Sequence, residues 1–137
     1  MGKYSMKPVT LEWVNKAEDD FATMTREYRA RTRPNYAGVC FHAQQCVEKM
    51  LKAYLFEHEI EFSKTHDIRR LLNLGSHLVQ EWEQFTDESA RLTSYAIEAR
   101  YPGSIATKEL AGNAIRICRK MRKSVLAALD LPDELPL

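Results

Sequence analysis

Apolar residues recur along most of this chain at alternating three- and four-residue steps, the spacing of one buried face on an α-helix. The first run is Val14, Ala17, Phe21, Met24 and Tyr28. Thr10 is placed to cap it, with Pro8 and Val9 ahead and Glu12 in the first turn, where the helix dipole favours an anion. This helix is expected to end near RARTRPN, because Pro34 disfavours helical geometry at Arg33. A second helix then starts between Pro34 and Tyr36. Its stripe is Val39, Ala43, Cys46, Met50 and Tyr54, widened by Cys40, Val47 and Leu51.

The segment HEIEFSKTH breaks the periodicity. Thr65 is placed to cap a short third helix, with Asp67 in its first turn and Ile68, Leu71, Leu72 and Leu74 inward. Gly75 marks its C-terminal end or a hinge, followed by a further helical piece through Leu78 and Trp82. Thr86 or Asp87 begins a fourth helix carrying Leu92, Tyr95 and Ile97, which stops before Pro102. Thr107 caps the last long helix, where Leu110, Ala114, Ile117, Met121 and Val125 repeat the spacing. No strand alternation, internal repeat or low-complexity tract stands out. The pattern predicts an all-α, antiparallel up-and-down bundle of about five helices. It forms one domain over residues 1–137, with 1–8 and 131–137 as tails.

Composition narrows the class. At 137 residues the chain has the length of one domain able to bury a core. Hydrophobic residues at 45% and charged residues at 28% fit a soluble globular protein. A net charge of +1 offers no global attraction to nucleic acid, so anion binding has to come from a local cluster. Cys40, Cys46 and Cys118 are an odd set with no C-x-x-C pair, which argues against a disulfide framework and for a reducing cytoplasm. The opening MGKYSMKPVT has no apolar core, and no apolar run approaches a membrane span, so a soluble chain without a membrane partner is expected. His58, His66 and His77 do not fall at metal-ligand spacing, and no phosphate-cradling Gly loop or Ser–His–Asp set appears. No metal and no cofactor is expected.

The chemistry concentrates in FHAQQCVEKMLKA, residues 41–53. His42, Gln45, Lys49 and Lys52 advance by three or four residues and share one helix face, and Gly38 leaves room one turn earlier. An imidazole, an amide and two ammoniums suit a phosphate together with a base or sugar. The same spacing also fits a boundary face whose lysine stems cover apolar surface while their heads reach water. As exposed cations, Lys49 and Lys52 are expected to contribute little to stability. A second cluster, RICRKMRKS, packs Arg116, Arg119, Lys120, Arg122 and Lys123 into about two turns. It fits an RNA backbone or acidic partner, or a solvated face near a helix C-terminus, and it lacks aromatic residues for base stacking.

Taken in order, FHAQQCVEKMLKAYL, KTHDIRRLL and EARYPGS resemble the HEPN family, the higher eukaryotes and prokaryotes nucleotide-binding domain, across nearly the whole chain. The resemblance implies a small all-α bundle, commonly a homodimer. Such a domain binds nucleotide or RNA, often as partner of a minimal nucleotidyltransferase in a prokaryotic toxin–antitoxin or stress-response pair, or it is a metal-independent ribonuclease. The matching positions are His42, Gln45, Glu48, Lys49, Lys52, His66, Asp67, Arg100, Tyr101 and Pro102. Several have other jobs open to them. Glu48 and Lys52 form an i,i+4 pair, Asp67 serves a helix N-terminus, and Tyr101-Pro102 ends the fourth helix and plugs the core.

The family's ribonucleases carry Arg and then His after four to six intervening residues. The formal match here is Arg70 to His77 in RLLNLGSH, in the third-helix region, with Leu after Arg70 and Gly75 expected to break the helix between them. YPGSIATKEL, after Arg100, contains no His. Three readings follow: a binding module, a ribonuclease in which Arg100 meets His42 or His66 in the fold or across a dimer, and a structural subunit whose polar stripe is internally paired. Arg100 points into a cleft in the first two. In the third it pairs with Asp67 or Glu48 as a strut.

Overall fold

A computed structural model describes residues 5–133, so residues 1–4 and 134–137 of the two expected tails lie outside the described residues. Five α-helices follow one another: α1 Pro8–Tyr28, α2 Tyr36–Glu57, α3 Ile68–Ser76, α4 Thr86–Glu98 and α5 Lys108–Ala128. A 3₁₀ helix, Gln80–Phe85, joins α3 to α4. No strand occurs among the described residues, as the periodicity requires. None of their helices is long and apolar enough to cross a membrane.

The helix α2 runs through the middle. It packs against α1, α3, α4 and α5, and buries Val39, Cys40, Ala43, Cys46, Val47, Met50, Leu51 and Leu55 completely. Val14, Ala17 and Met24 of α1 and Ile117, Cys118, Met121 and Val125 of α5 close over it. Each fully buried Leu, Ile or Met side chain contributes about 1.5–3 kcal/mol of transfer free energy.

The ends of the helices correct several expectations. α1 begins at Pro8, where the missing N–H costs nothing, and Lys7 is its extended N-cap. Thr10 is therefore buried in the first turn and caps nothing; its hydroxyl donates to Glu57 Oε1 at 2.7 Å. The same carboxylate oxygen accepts from the backbone N–H of Lys7 at 3.1 Å, so the last residue of α2 holds the start of α1. Arg33 adopts φ 47°, the left-handed turn that lets the chain leave α1 and enter α2 through Pro34.

Asp67, not Thr65, is the N-cap of α3: its side chain accepts from Arg69 N at 3.0 Å, while the Thr65 hydroxyl accepts from Asp67 N at 3.1 Å. Gly75 neither ends nor hinges α3. It is buried inside the helix with the Trp82 ring laid against it, and a Cβ there would sit 2.4 Å from Trp82 Cζ3. Ile97 of α4 is 51% exposed. Thr107 caps α5 as expected, accepting from Leu110 N at 3.0 Å.

Gly75→Ala is expected to lower stability by about 1–3 kcal/mol, because the added methyl forces Trp82 out of a closed core. Urea denaturation checks this. An unchanged midpoint would mean that the ring moves freely.

Candidate functional site

Because α2 is surrounded, the polar residues on it must find partners inside the protein. Gln44, Glu48 and Lys52 are buried. Glu48 receives four donors. Lys52 Nζ lies 2.9 Å from Oε2, and His66 Nδ1, Gln44 Nε2 and Gln45 Nε2 lie 3.0, 3.2 and 3.5 Å from Oε1. Gln44 also donates to the His66 carbonyl at 2.8 Å, and Gln45 to Gln44 Oε1 at 2.8 Å. One turn away, Asp20 of α1 binds two more members of the expected stripe, His42 Nδ1 at 2.7 Å and Lys49 Nζ at 2.6 Å.

The stripe therefore divides between two carboxylates. Lys49 and Lys52 are not the exposed cations expected from spacing: Lys52 is buried with its ammonium near the rings of Trp13 and Phe62, and Lys49 is clamped to Asp20.

What remains open to solvent lies beside this network. A cleft of about 640 Å³ is walled by Phe41, Gln44 and Gln45 of α2, by His66 and Asp67 ahead of α3, and by Thr93, Ala96 and Ile97 of α4, with Arg100 beyond its end. The Arg100 guanidinium lies over the Phe41 ring, 5.2 Å from its centroid, and makes no carboxylate pair among the described residues. The strut role, pairing with Asp67 or Glu48, is absent from this arrangement.

His66 is the second solvent-facing polar group; its side chain is 85% exposed although its Nδ1 faces Glu48. With an ionised Glu48 accepting at Nδ1–H, a neutral imidazole keeps Nε2 as a free acceptor. Thr93 adds a buried hydroxyl oxygen with no hydrogen-bond partner among the described residues. The cleft thus unites a permanent cation, a carboxylate-backed imidazole, two carboxamides and an aromatic face.

The HEPN domain model matches residues 10–128, from the first turn of α1 to the end of α5. The chain belongs to the HEPN family. The crystal structure of ST0689, an archaeal HEPN homologue, superposes with a TM-score of 0.69 over 88% of this chain and 97% of that one, at 21% identity. This likeness concerns the fold. No curated protein matches the sequence.

Within this HEPN bundle, other expected site residues stand apart from the cleft. His42 faces a different groove, with Thr23, Arg26 and Asn35, so it is His66 that joins Arg100. Tyr101 is 64% exposed and does not plug the core; it shares a shallow hollow with Ile97 and Arg100. Arg70 and His77 are exposed, on α3 and at its C-cap, with the helix unbroken through Gly75. Neither lines the cleft.

The basic cluster of α5 is largely consumed. Arg116 and Lys120 hold Glu88 of α4. Arg122 grips Glu18 through two bonds of 2.7 Å and stacks on Phe21. Burial alone would raise the Glu88 carboxyl, but the hydrogen bonds and charge of Lys120 and Arg116 hold it below its ordinary value.

The thiols are unreactive core groups. Burial pushes Cys40 up to about 11, and a hydrogen bond with Cys118 together with burial raises Cys46 well above its ordinary value. No cluster of three or more His, Cys, Asp or Glu able to hold a metal occurs among the described residues.

Sequence reasoning missed Phe41, Gln44, Thr93 and Asp20. Asp20 left a signal, since it falls on the buried line of Ala17 and Met24, where a carboxylate needs a partner. Lys52→Gln is expected to cost about 3 kcal/mol, because it leaves a buried carboxylate short of its countercharge. Lys49→Gln, at a more exposed pair, should cost less. Thermal denaturation of the two variants tests the order.

Proposed function

We propose that this HEPN domain binds a phosphate-bearing ligand, a nucleotide or RNA, in the cleft between α2, the start of α3 and the end of α4. One observation carries the reading: Arg100, unpaired among the described residues, lies on Phe41 at the mouth of a cleft that it shares with His66. A guanidinium grips a phosphate through two parallel hydrogen bonds, which an ammonium cannot reproduce. Gln45 and Thr93 supply polar groups for a base or sugar, and Phe41, Ala96 and Ile97 an apolar wall. The family supports the setting we propose: a homodimer acting beside a minimal nucleotidyltransferase in a prokaryotic toxin–antitoxin or stress-response pair. Ile97 on the cleft wall and Tyr101 beside it, both more than half exposed, supply apolar surface for such contacts.

The Glu48–His66 pair favours a second reading, metal-independent RNA cleavage. His66 Nε2 would take the proton of a 2′-hydroxyl, whose oxygen attacks the adjacent phosphorus. The 5′-oxygen departs with a proton from water, leaving a 2′,3′-cyclic phosphate. Glu48 would orient the imidazole, and Arg100 would meet the charge that develops on phosphorus.

Arg100→Ala is expected to weaken nucleotide or RNA binding about tenfold or more, from the loss of charge-assisted hydrogen bonds worth about 1.5–3 kcal/mol. Arg100→Lys should lose nearly as much. Stability should stay within about 0.5 kcal/mol, since the side chain is exposed. Fluorescence anisotropy beside denaturation checks both; early unfolding with normal binding would make Arg100 a strut. RNA cleavage in excess chelator, abolished by His66→Ala, would select the second reading over simple binding.

A further inference from the structure

The two ends of the α1–α2 hairpin carry opposite charge, on surfaces that lie apart from the cleft. At one end Arg29, Arg31 and Arg33 follow one another along the connection between the helices, and all are exposed. None of them makes an ion pair among the described residues, in contrast to Arg116, Lys120 and Arg122 on α5. The nearby carboxylate of Glu27 accepts through Oε1 from the backbone N–H of Asn35, at 3.1 Å. A cation at a helix C-terminus is favoured by the dipole, which accounts for Arg29, but Arg31 and Arg33 lie beyond the helix. Arg33 is also held in left-handed backbone, a conformation that Gly or Asn adopts at less cost.

At the other end, the chain leaving α2 borders a groove of about 640 Å³, lined by Lys7, Phe56, Glu59, Ile60, Glu61 and Phe62. Glu59 and Glu61 are exposed, and Glu59, like Arg33, occupies left-handed backbone. Glu59 reaches Lys7 only loosely, at 3.8 Å, and Glu61 makes no ion pair among the described residues. Lys7 shows what this groove accepts. Its ammonium lies 5.6 Å from the centroid of the Phe56 ring and 3.5 Å from the Phe56 carbonyl oxygen. Carboxylates beside aromatic rings suit a guanidinium better still, since it stacks on a ring while its edge bonds a carboxylate.

We infer that this groove takes the α1–α2 connection of a second copy of the chain, with Glu59 and Glu61 meeting Arg29, Arg31 and Arg33. Charge complementarity selects this occupant, because the chain itself presents the cations that its own groove lacks. The 22 residues of α2 hold the two surfaces about 33 Å apart, so one copy cannot bring them together. Each copy offers one connection and one groove, and the contact therefore runs head to tail and repeats from copy to copy. A two-fold homodimer would instead pair one patch with itself. The inference rests on neither the cleft nor its ligand.

Light scattering against protein concentration reads this contact at about 0.05 M and 0.5 M salt, where screening lengths are roughly 14 and 4 Å. At low salt the wild type should grow past twice the mass it has at high salt. The triple variant Arg29→Gln, Arg31→Gln, Arg33→Gln and the double variant Glu59→Gln, Glu61→Gln should each need about tenfold more protein for the same growth, from the loss of two or three exposed pairs. An equimolar mixture of the two should gain mass that neither gains alone, because the intact groove of one meets the intact connection of the other. The matching triple Lys variant, which keeps the charge, should still grow, and all variants should melt with the wild type. A wild type of one mass at both salts would overturn the inference, as would a mixture that stays inert. Growth lost in the arginine variant but kept in the carboxylate variant would do so too, by giving the arginines another acidic partner. A wild type that stops at twice its high-salt mass would overturn the open chain, because two copies would then close on each other.

Discussion

A carboxylate at the centre of the bundle, Glu48, is the constraint from which much of the remaining geometry follows. It is 3% exposed on a helix enclosed by four others, and an ion so placed is tolerated only when its oxygens are saturated. Lys52, Gln44, Gln45 and His66 do this from two elements. The arrangement fixes two amide orientations, pins the approach to α3 through the His66 carbonyl, and leaves the imidazole facing outward. The polarity of α2 is therefore mainly internal, and its external consequence is the placement of one histidine beside one arginine.

The fold was legible because its signals are local. Three–four spacing identifies a helix whatever it packs against, Pro34 and Thr107 mark boundaries by local chemistry alone, and the core positions of α1, α2 and α5 follow from the same repeat. Gly75 was misread because a glycine that ends a helix and one that admits a ring look alike in sequence; Trp82, seven residues on, makes the difference. Thr10 was misread because its partner, Glu57, is nearly the whole helical hairpin away.

The candidate site was legible only in part, for a related reason. Periodicity says which residues share a face, not whether that face has a neighbour. Lys49 and Lys52 looked like ligand-binding cations because nothing in their own helix reveals Asp20 across the interface or the Trp13 and Phe62 rings beside them. Arg100 was easier to single out, since a residue at a helix end escapes the packing that claims a residue on a flank. On α5, carboxylates on α1 and α4 absorb most of a dense basic run.

The bond from Glu57 to the start of α1 has a consequence for how the molecule opens. Helix termini ordinarily fray, and their amides exchange with solvent without the rest of the protein unfolding. Here the amide of the N-cap Lys7 and the hydroxyl of Thr10 in the first turn of α1 are both held by the final residue of α2, which ties the two ends of the hairpin together. Loosening the beginning of the domain means loosening the far end of its central helix.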